Sequence, residues 1–271
     1  MIRVKKMHGC GNDFCLVPYD PYIMDYSLLA TKICNRKLGI GADGLIVCKD
    51  NPLEMIIYNP DGSRAPMSGN GIRCFAKYAY DLGLAKKNKL EIITGTGRVN
   101  VEVLNSNPFN CKIEMGKPIF NNSMLNVDDE LNCFGRTIKI KDRYITINAL
   151  FMSDVHTVIF LDDFDSEIIN YAEDISNYPL FTKKTNVDFV YIVNKENIKI
   201  KTYERRVGFT LASGSGACAA VVAAQKLGYT KTLVNVQTEM GSLKVEITKK
   251  GIVYLTGTAK EVFECDYNEE E

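Results

Sequence analysis

Short apolar or alternating runs bounded by Gly, Pro, Asn and Asp dominate the first part of the chain. Phe14–Val17, Leu45–Cys48 and Glu54–Tyr58 have this form and predict strands separated by turns. From Gly71 to Tyr80 the spacing changes: apolar residues recur at helical intervals and predict a helix that stops near Gly83. Leu90–Ile93 and Arg98–Val103 then flank Gly95-Thr96-Gly97, as in a hairpin. The second part repeats the order. Val187–Val193 and Ile198–Tyr203 predict strands, and Ala217 to Ala224 predicts a helix ending before Gly228.

The repeat is anchored by a glycine-rich turn that occurs twice, as Ser68-Gly69-Asn70-Gly71 and Ser213-Gly214-Ser215-Gly216. Tyr58 and Tyr203 lie ten residues before the serines, and Leu82-Gly83 and Leu227-Gly228 lie fourteen and fifteen after them. Asp43 and Asp188 share the same offset (188 − 43 = 145 = 213 − 68), and Val101-Glu102-Val103 matches Val245-Glu246-Ile247 within one residue of it. A duplicated unit is the reading, with the crossing between halves in the polar stretch around Asn105 to Asn126. We place the halves at 1–116 and 117–271, the last strand and tail returning to the first half.

A helix that opens after a glycine turn leaves backbone N–H groups without partners and carries partial positive charge there. Two such ends predict carboxylate binding. If the halves face each other, Ser68 and Ser213 approach one ligand from opposite sides, the geometry for taking a proton from one face and returning one to the other. A single copy would more simply be an N-cap; duplication in register favours the functional reading. Gly39-Ile40-Gly41-Ala42-Asp43-Gly44 matches the dinucleotide fingerprint in letters only, because polar Asn35-Arg36-Lys37 precedes it and strand-like Leu45-Ile46-Val47 follows.

Lys+Arg and Asp+Glu balance at 33 each, so no electrostatic footprint marks nucleic acid or an anionic membrane as a partner. No apolar run approaches membrane-spanning length, the start does not resemble a signal core, and Glu269-Glu270-Glu271 reads as a solvated tail. Nine cysteines without close CxxC pairing fit a reducing, cytoplasmic setting, most of them as small core residues. Two histidines, His8 and His156, give little support to a metal site. Alone, His8 and Asn59 read as turn or structural residues, and Glu204-Arg205-Arg206 reads equally as a solvated charge run or as a substrate contact beside the second turn.

Together these segments resemble diaminopimelate epimerase, of the cofactor-independent amino-acid racemase and epimerase family. The resemblance runs nearly full length, through Met7–Phe14, Gly39–Gly44, Tyr58–Ser63, Ser68–Cys74, Thr185-Asn186-Val187, Tyr203-Glu204-Arg205 and Ser213–Gly216. It implies an α/β (α+β) fold of two pseudo-symmetric domains, each a sheet wrapped around a central helix, closing on an amino-acid substrate without pyridoxal phosphate, metal or nucleotide, in a chain able to form a homodimer. It implies catalytic roles for Ser68 and Ser213, supported by His156 and Glu204. Gly69, Asn70, Gly214 and Ser215 would hold the α-carboxylate, Asn12 would orient the reacting amino acid, and Asn59, Asn186 and Arg205 would contact its distal end.

The family has cysteine where this chain has Ser68 and Ser213. A thiol of pKa about 8.5, lowered at a helix N-terminus, divides acid and base roles near neutrality; a hydroxyl does this poorly. Paired Cys-to-Ser replacement with nine other cysteines untouched reads as an inactivated two-base enzyme, against a naturally divergent member or a non-catalytic amino-acid-binding protein. Near-inactivity in racemisation is expected. Ser153-Asp154-Val155-His156 replaces the usual Gly-Asn-Pro-His, Arg206 stands where glycine is usual, and Phe209 where glutamate is common. Diaminopimelate is the expected substrate, as a lysine and peptidoglycan precursor, with a histidine or other amino-acid racemase as the alternative.

Overall fold

The structure is a computed structural model that describes residues 1–23, 25–127 and 132–268. The expected acidic tail, Glu269-Glu270-Glu271, lies outside the described residues. The chain divides into two compact units, Met1–Ile113 with Thr256–Glu271, and Glu114–Leu255.

In chain order the first unit contains β1 (Ile2–Gly9), β2 (Asn12–Pro18), α1 (Tyr26–Ile33), β3 (Gly44–Asp50), β4 (Leu53–Tyr58), β5 (Arg64–Ala65), α2 (Gly69–Asp81), β6 (Lys89–Thr94), β7 (Gly97–Ser106) and the start of β8 (Phe109–Gly116). The second runs through α3 (Asn122–Leu125), β9 (Phe134–Ile140), β10 (Arg143–Phe151), β11 (Val155–Leu161), α4 (Ala172–Ser176), β12 (Asn186–Asn194), β13 (Asn197–Glu204), β14 (Gly208–Thr210), α5 (Gly214–Lys226), β15 (Leu233–Thr238), β16 (Gly241–Ile247) and into β17 (Val253–Thr258). The chain ends in β18 (Lys260–Tyr267), which pairs antiparallel with β1 in the first unit.

The two units follow one pairing scheme. β1–β2 is antiparallel, β2–β3 parallel, β3–β4 antiparallel, β4–β6 parallel and β6–β7 antiparallel. β10–β11, β11–β12, β12–β13, β13–β15 and β15–β16 repeat these senses. Each parallel step needs a crossover, and in both units the second crossover contains the long helix.

Both long helices are largely buried. The Ala217–Ala224 run of α5 is wholly buried, and α2 buries Asn70–Ala76, Tyr78 and Ala79. A helix apolar on every face, as α5 is over this run, has no solvent side and must be surrounded by other elements, whereas α2 is amphipathic and buries Asn70 and Arg73 along with its apolar residues. α2 packs on β1, β2, β3, β4 and β18, and α5 on β10–β13 and β16. Each unit is therefore a sheet around a central helix.

The strand registers correct one correspondence. Leu45 faces Tyr58 across β3–β4, whereas Val187 faces Tyr203 across β12–β13. The separations are 13 and 16 residues, so the constant offset of 145 fails before the tyrosines, and Asp188 takes the place of Ile46 rather than of Asp43. The Gly39–Gly44 segment leads into β3 and opens no helix, so it is no dinucleotide loop.

Candidate active site

Both repeated serines are helix N-caps. Ser68 and Ser213 have extended backbone (φ −140°, ψ 123° and φ −121°, ψ 122°), and their hydroxyls accept the N–H of Gly71 at 3.0 Å and of Gly216 at 3.2 Å. Each cap leaves the preceding first-turn amides, of Gly69 and Asn70 or of Gly214 and Ser215, at a helix end that favours an anion.

In the first unit the turn is tied into a polar chain. Asn70 donates through its amide to Asn12 Oδ1 at 3.2 Å, Asn12 donates to Asp43 Oδ2 at 2.8 Å, and Arg36 binds both Asp43 and Asp13. The Lys6 ammonium, itself buried, meets Asp13 Oδ2 at 2.6 Å. Burial alone would raise the Asp13 carboxyl, but the hydrogen bonds from Arg36 and Lys6 hold it well below the usual carboxylate range. Beneath the turn Arg73 is fully buried and donates to Gly69 O, Asn70 Oδ1 and Thr258 O. A Cβ on Gly9 would lie 2.7 Å from its guanidinium, which is why glycine stands there. The Asn59 amide donates to Ser63 within its own loop. His8 lies in β1, where its Nδ1 accepts the Gly11 N–H at 3.3 Å, a local structural role.

In the second unit His156 is fully buried on β11, with Nδ1 2.7 Å from Asp188 Oδ2 on β12, while Thr202 donates to Asp188 Oδ1 at 2.7 Å. Burial alone would lower the His156 pKa, but the charge and hydrogen bond of Asp188 outweigh it and raise it. Its Nε2 is buried without a hydrogen-bond partner. A Cβ on Gly216 would sit 2.3 Å from Asp188 Oδ1, so this glycine lets the helix end close over the carboxylate. Burial pushes the Glu204 carboxyl up, against the opposing effects of His156 and Ser213.

At the end of β13, Arg205 donates to Asp154 at 2.7 Å and to the carbonyls of Lys183 and Lys184, and Asn186 bridges Asp154 and the Arg205 backbone N–H. The sequence marked Asp154 only as a departure and Asp188 only as a marker of the repeat. Their ionic partners, Arg205 and His156, become visible only when β11, β12 and β13 are laid side by side.

The match to known proteins is extensive. The diaminopimelate epimerase family model matches residues 4–121 and 150–262. The chain belongs to the diaminopimelate epimerase family. Relatives of that name include one from Caldanaerobacter subterraneus subsp. tengcongensis, 40% identical over 97% of this chain and 98% of its own, and one from Clostridium perfringens, 37% identical over 98% of both. Among solved structures, a probable proline racemase from Agrobacterium radiobacter K84 superposes with a TM-score of 0.71 at 13% identity, covering 100% of this chain and 94% of its own. A hydroxyproline epimerase from Agrobacterium vitis gives 0.69 at 13% identity, over 97% and 91%. At that identity the likeness establishes the fold, and the family rests on the closer sequences. Among the described residues no helix is long and apolar enough to cross a membrane, and no cluster of three His, Cys, Asp or Glu is arranged to hold a metal ion.

Proposed function

We propose that the chain is built as a two-base amino-acid epimerase acting on diaminopimelate, with positions 68 and 213 as the acid/base stations on opposite faces of one α-carbon. The observation that carries this reading is the pair of matched caps: each serine places its side chain over the first turn of a buried helix whose leading amides suit a carboxylate. Gly69, Asn70, Gly214 and Ser215 would hold the α-carboxylate, Asn12 would orient the amino group through the Asn70–Asn12 contact, and Asn59, Asn186 and Arg205 would read the distal end.

An α-proton is very weakly acidic, so the developing charge must be met by preorganised donors in a water-poor site. The helix-end amides supply them. The acid/base pair itself is missing, because serine at both stations is far less acidic than a thiol. As written, the chain binds the amino acid and inverts it at most very slowly. The test is to restore S68C and S213C together and assay LL- and meso-diaminopimelate. The epimerase reading requires inversion to appear, whereas affinity without inversion would favour a binding protein. Nine cysteines outside any disulfide fit a cytoplasmic setting.

A further inference from the structure

The two glycine turns look alike in sequence, but the charge beneath them differs. A Cβ on Gly71 would meet Ile46 Cδ1 at 3.2 Å, whereas one on Gly216 would meet Asp188 Oδ1. The strands give the same equivalence, because Ile46 pairs with Ile57 on the next strand as Asp188 pairs with Thr202. The positive end of α5 is therefore met from below by a carboxylate, with His156 as that carboxylate's own partner. Under α2 an apolar side chain stands at that place.

Under α2 there is also a cation. Arg73 is fully buried, and its counterpart at the repeat offset is Cys218. Its guanidinium donates to the carbonyls of Thr258 and Gly69, to Asn70 Oδ1 at 2.8 Å and to Cys10 Sγ at 3.6 Å. None of these is a carboxylate. The two acids tied into this turn, Asp13 and Asp43, are already paired: Asp13 with Lys6 and Arg36, Asp43 with Arg36. Two acids answer two bases there, and among the described residues Arg73 is the cation in excess. A buried charge is costly unless an opposite charge meets it. A cation at a helix N-terminus also adds to the positive end of the dipole instead of opposing it. An anion arriving at the Ser68–Asn70 turn relieves both costs. The same excess is felt by His8, whose pKa is held below its ordinary value by burial, Lys260 and Arg73 against the effect of Asp13.

We propose that Arg73 is the positioning residue of the first turn: its buried charge answers the α-carboxylate of the bound amino acid and makes the Ser68 turn, rather than the Ser213 turn, the principal anion holder. The inference rests on the epimerase reading above. Arg73 has no exposed surface, so it acts through the turn and not by touching the ligand. It grips Gly69 O and Asn70 Oδ1, fixing the two residues whose amides lead the helix, and Asn70 in turn donates to Asn12. Gly214 and Ser215 also offer helix-end amides, but Asp188 beneath them is set against a second anion.

The test is calorimetric titration of meso-diaminopimelate into the unmodified chain, R73Q and R73K. R73Q keeps an amide donor and loses the charge; R73K keeps the charge and loses the planar fork. Affinity should fall about tenfold or more in R73Q, as expected for a unit charge a few ångströms from a carboxylate, and recover in large part in R73K. Undiminished affinity in R73Q, or a loss in R73K as large as in R73Q, overturns the proposal. A second measurement needs neither the substrate nor a change at Arg73. It compares the pH dependence of iodoacetamide alkylation for the thiol introduced by S68C with that for the thiol introduced by S213C, each followed by peptide mass spectrometry. Because Arg73 faces the first turn and Asp188 the second, the thiol at 68 should ionise about one pH unit or more below the thiol at 213. A thiol at 68 that ionises no lower than the one at 213 overturns the proposal even where the Arg73 variants do not fold. If diaminopimelate binds the unmodified chain but neither comparison shows the expected difference, only this inference falls; if it does not bind at all, the epimerase reading falls and this inference with it.

Discussion

Gly216 shows how a single residue carries information that its motif does not announce. In the repeated turn it looks interchangeable with Gly71, yet its missing side chain leaves room for the Asp188 carboxylate, whereas Gly71 faces the flexible end of Ile46. Gly216→Ala should therefore cost about 1–3 kcal/mol, the usual range for overpacking, and Gly71→Ala distinctly less; urea denaturation of the two variants measures the difference. The serine caps were legible in the sequence because a cap depends on neighbours three residues away. The Asp188–His156 contact was not, because it joins positions 32 residues apart through a parallel pairing that spacing does not reveal. For the same reason Asp154 appeared as a departure in the sequence and as the partner of Arg205 in the fold.

At the scale of elements, the predicted strands and helices lie within β2, β3, β4, α2, β6, β7, β12, β13 and α5, where periodicity or turn residues were strong. β1 was missed because Lys6, a charged residue at a buried position, breaks the alternation begun by Ile2-Arg3-Val4-Lys5. Lys6 is in fact buried, its charge met by Asp13. That pairing predicts an acid-sensitive junction of β1, β2 and the loop before β3. Because the Asp13 pKa is depressed in the fold, its contribution is present above the unfolded carboxylate value of about 3.9 and is lost as pH falls through the folded value. Asp13→Asn should destabilise by about 3 kcal/mol at neutral pH, as breaking a buried pair does, and the gap from the unmodified chain should narrow toward pH 2 in urea titrations.

At the scale of the molecule, the duplication was readable because the glycine turns and their flanking landmarks recur in register, but the asymmetry of the duplicated units was not. It lies in which residue occupies an equivalent place, Asp188 under α5 where Ile46 lies under α2, and the three-residue difference between the β3–β4 and β12–β13 pairings hides that equivalence from spacing. The cysteines belong to this scale too. None of the nine is in a disulfide and only Cys265 is not buried; burial pushes Cys15, Cys34, Cys74 and Cys111 up to about 12. Native alkylation with iodoacetamide, followed by peptide mass spectrometry, should therefore label Cys265 first and the others only after unfolding. A tenth and eleventh thiol introduced at 68 and 213 would stand apart from these, at helix ends that lower thiol pKa.

That contrast leads to the measurement bearing most directly on the two-base account: the S68C/S213C chain in D2O with LL-diaminopimelate. The account predicts meso product carrying deuterium at the inverted centre, at a rate orders of magnitude above that of the unmodified chain. Tight binding of diaminopimelate by the double-cysteine chain with neither deuterium uptake nor inversion would contradict it.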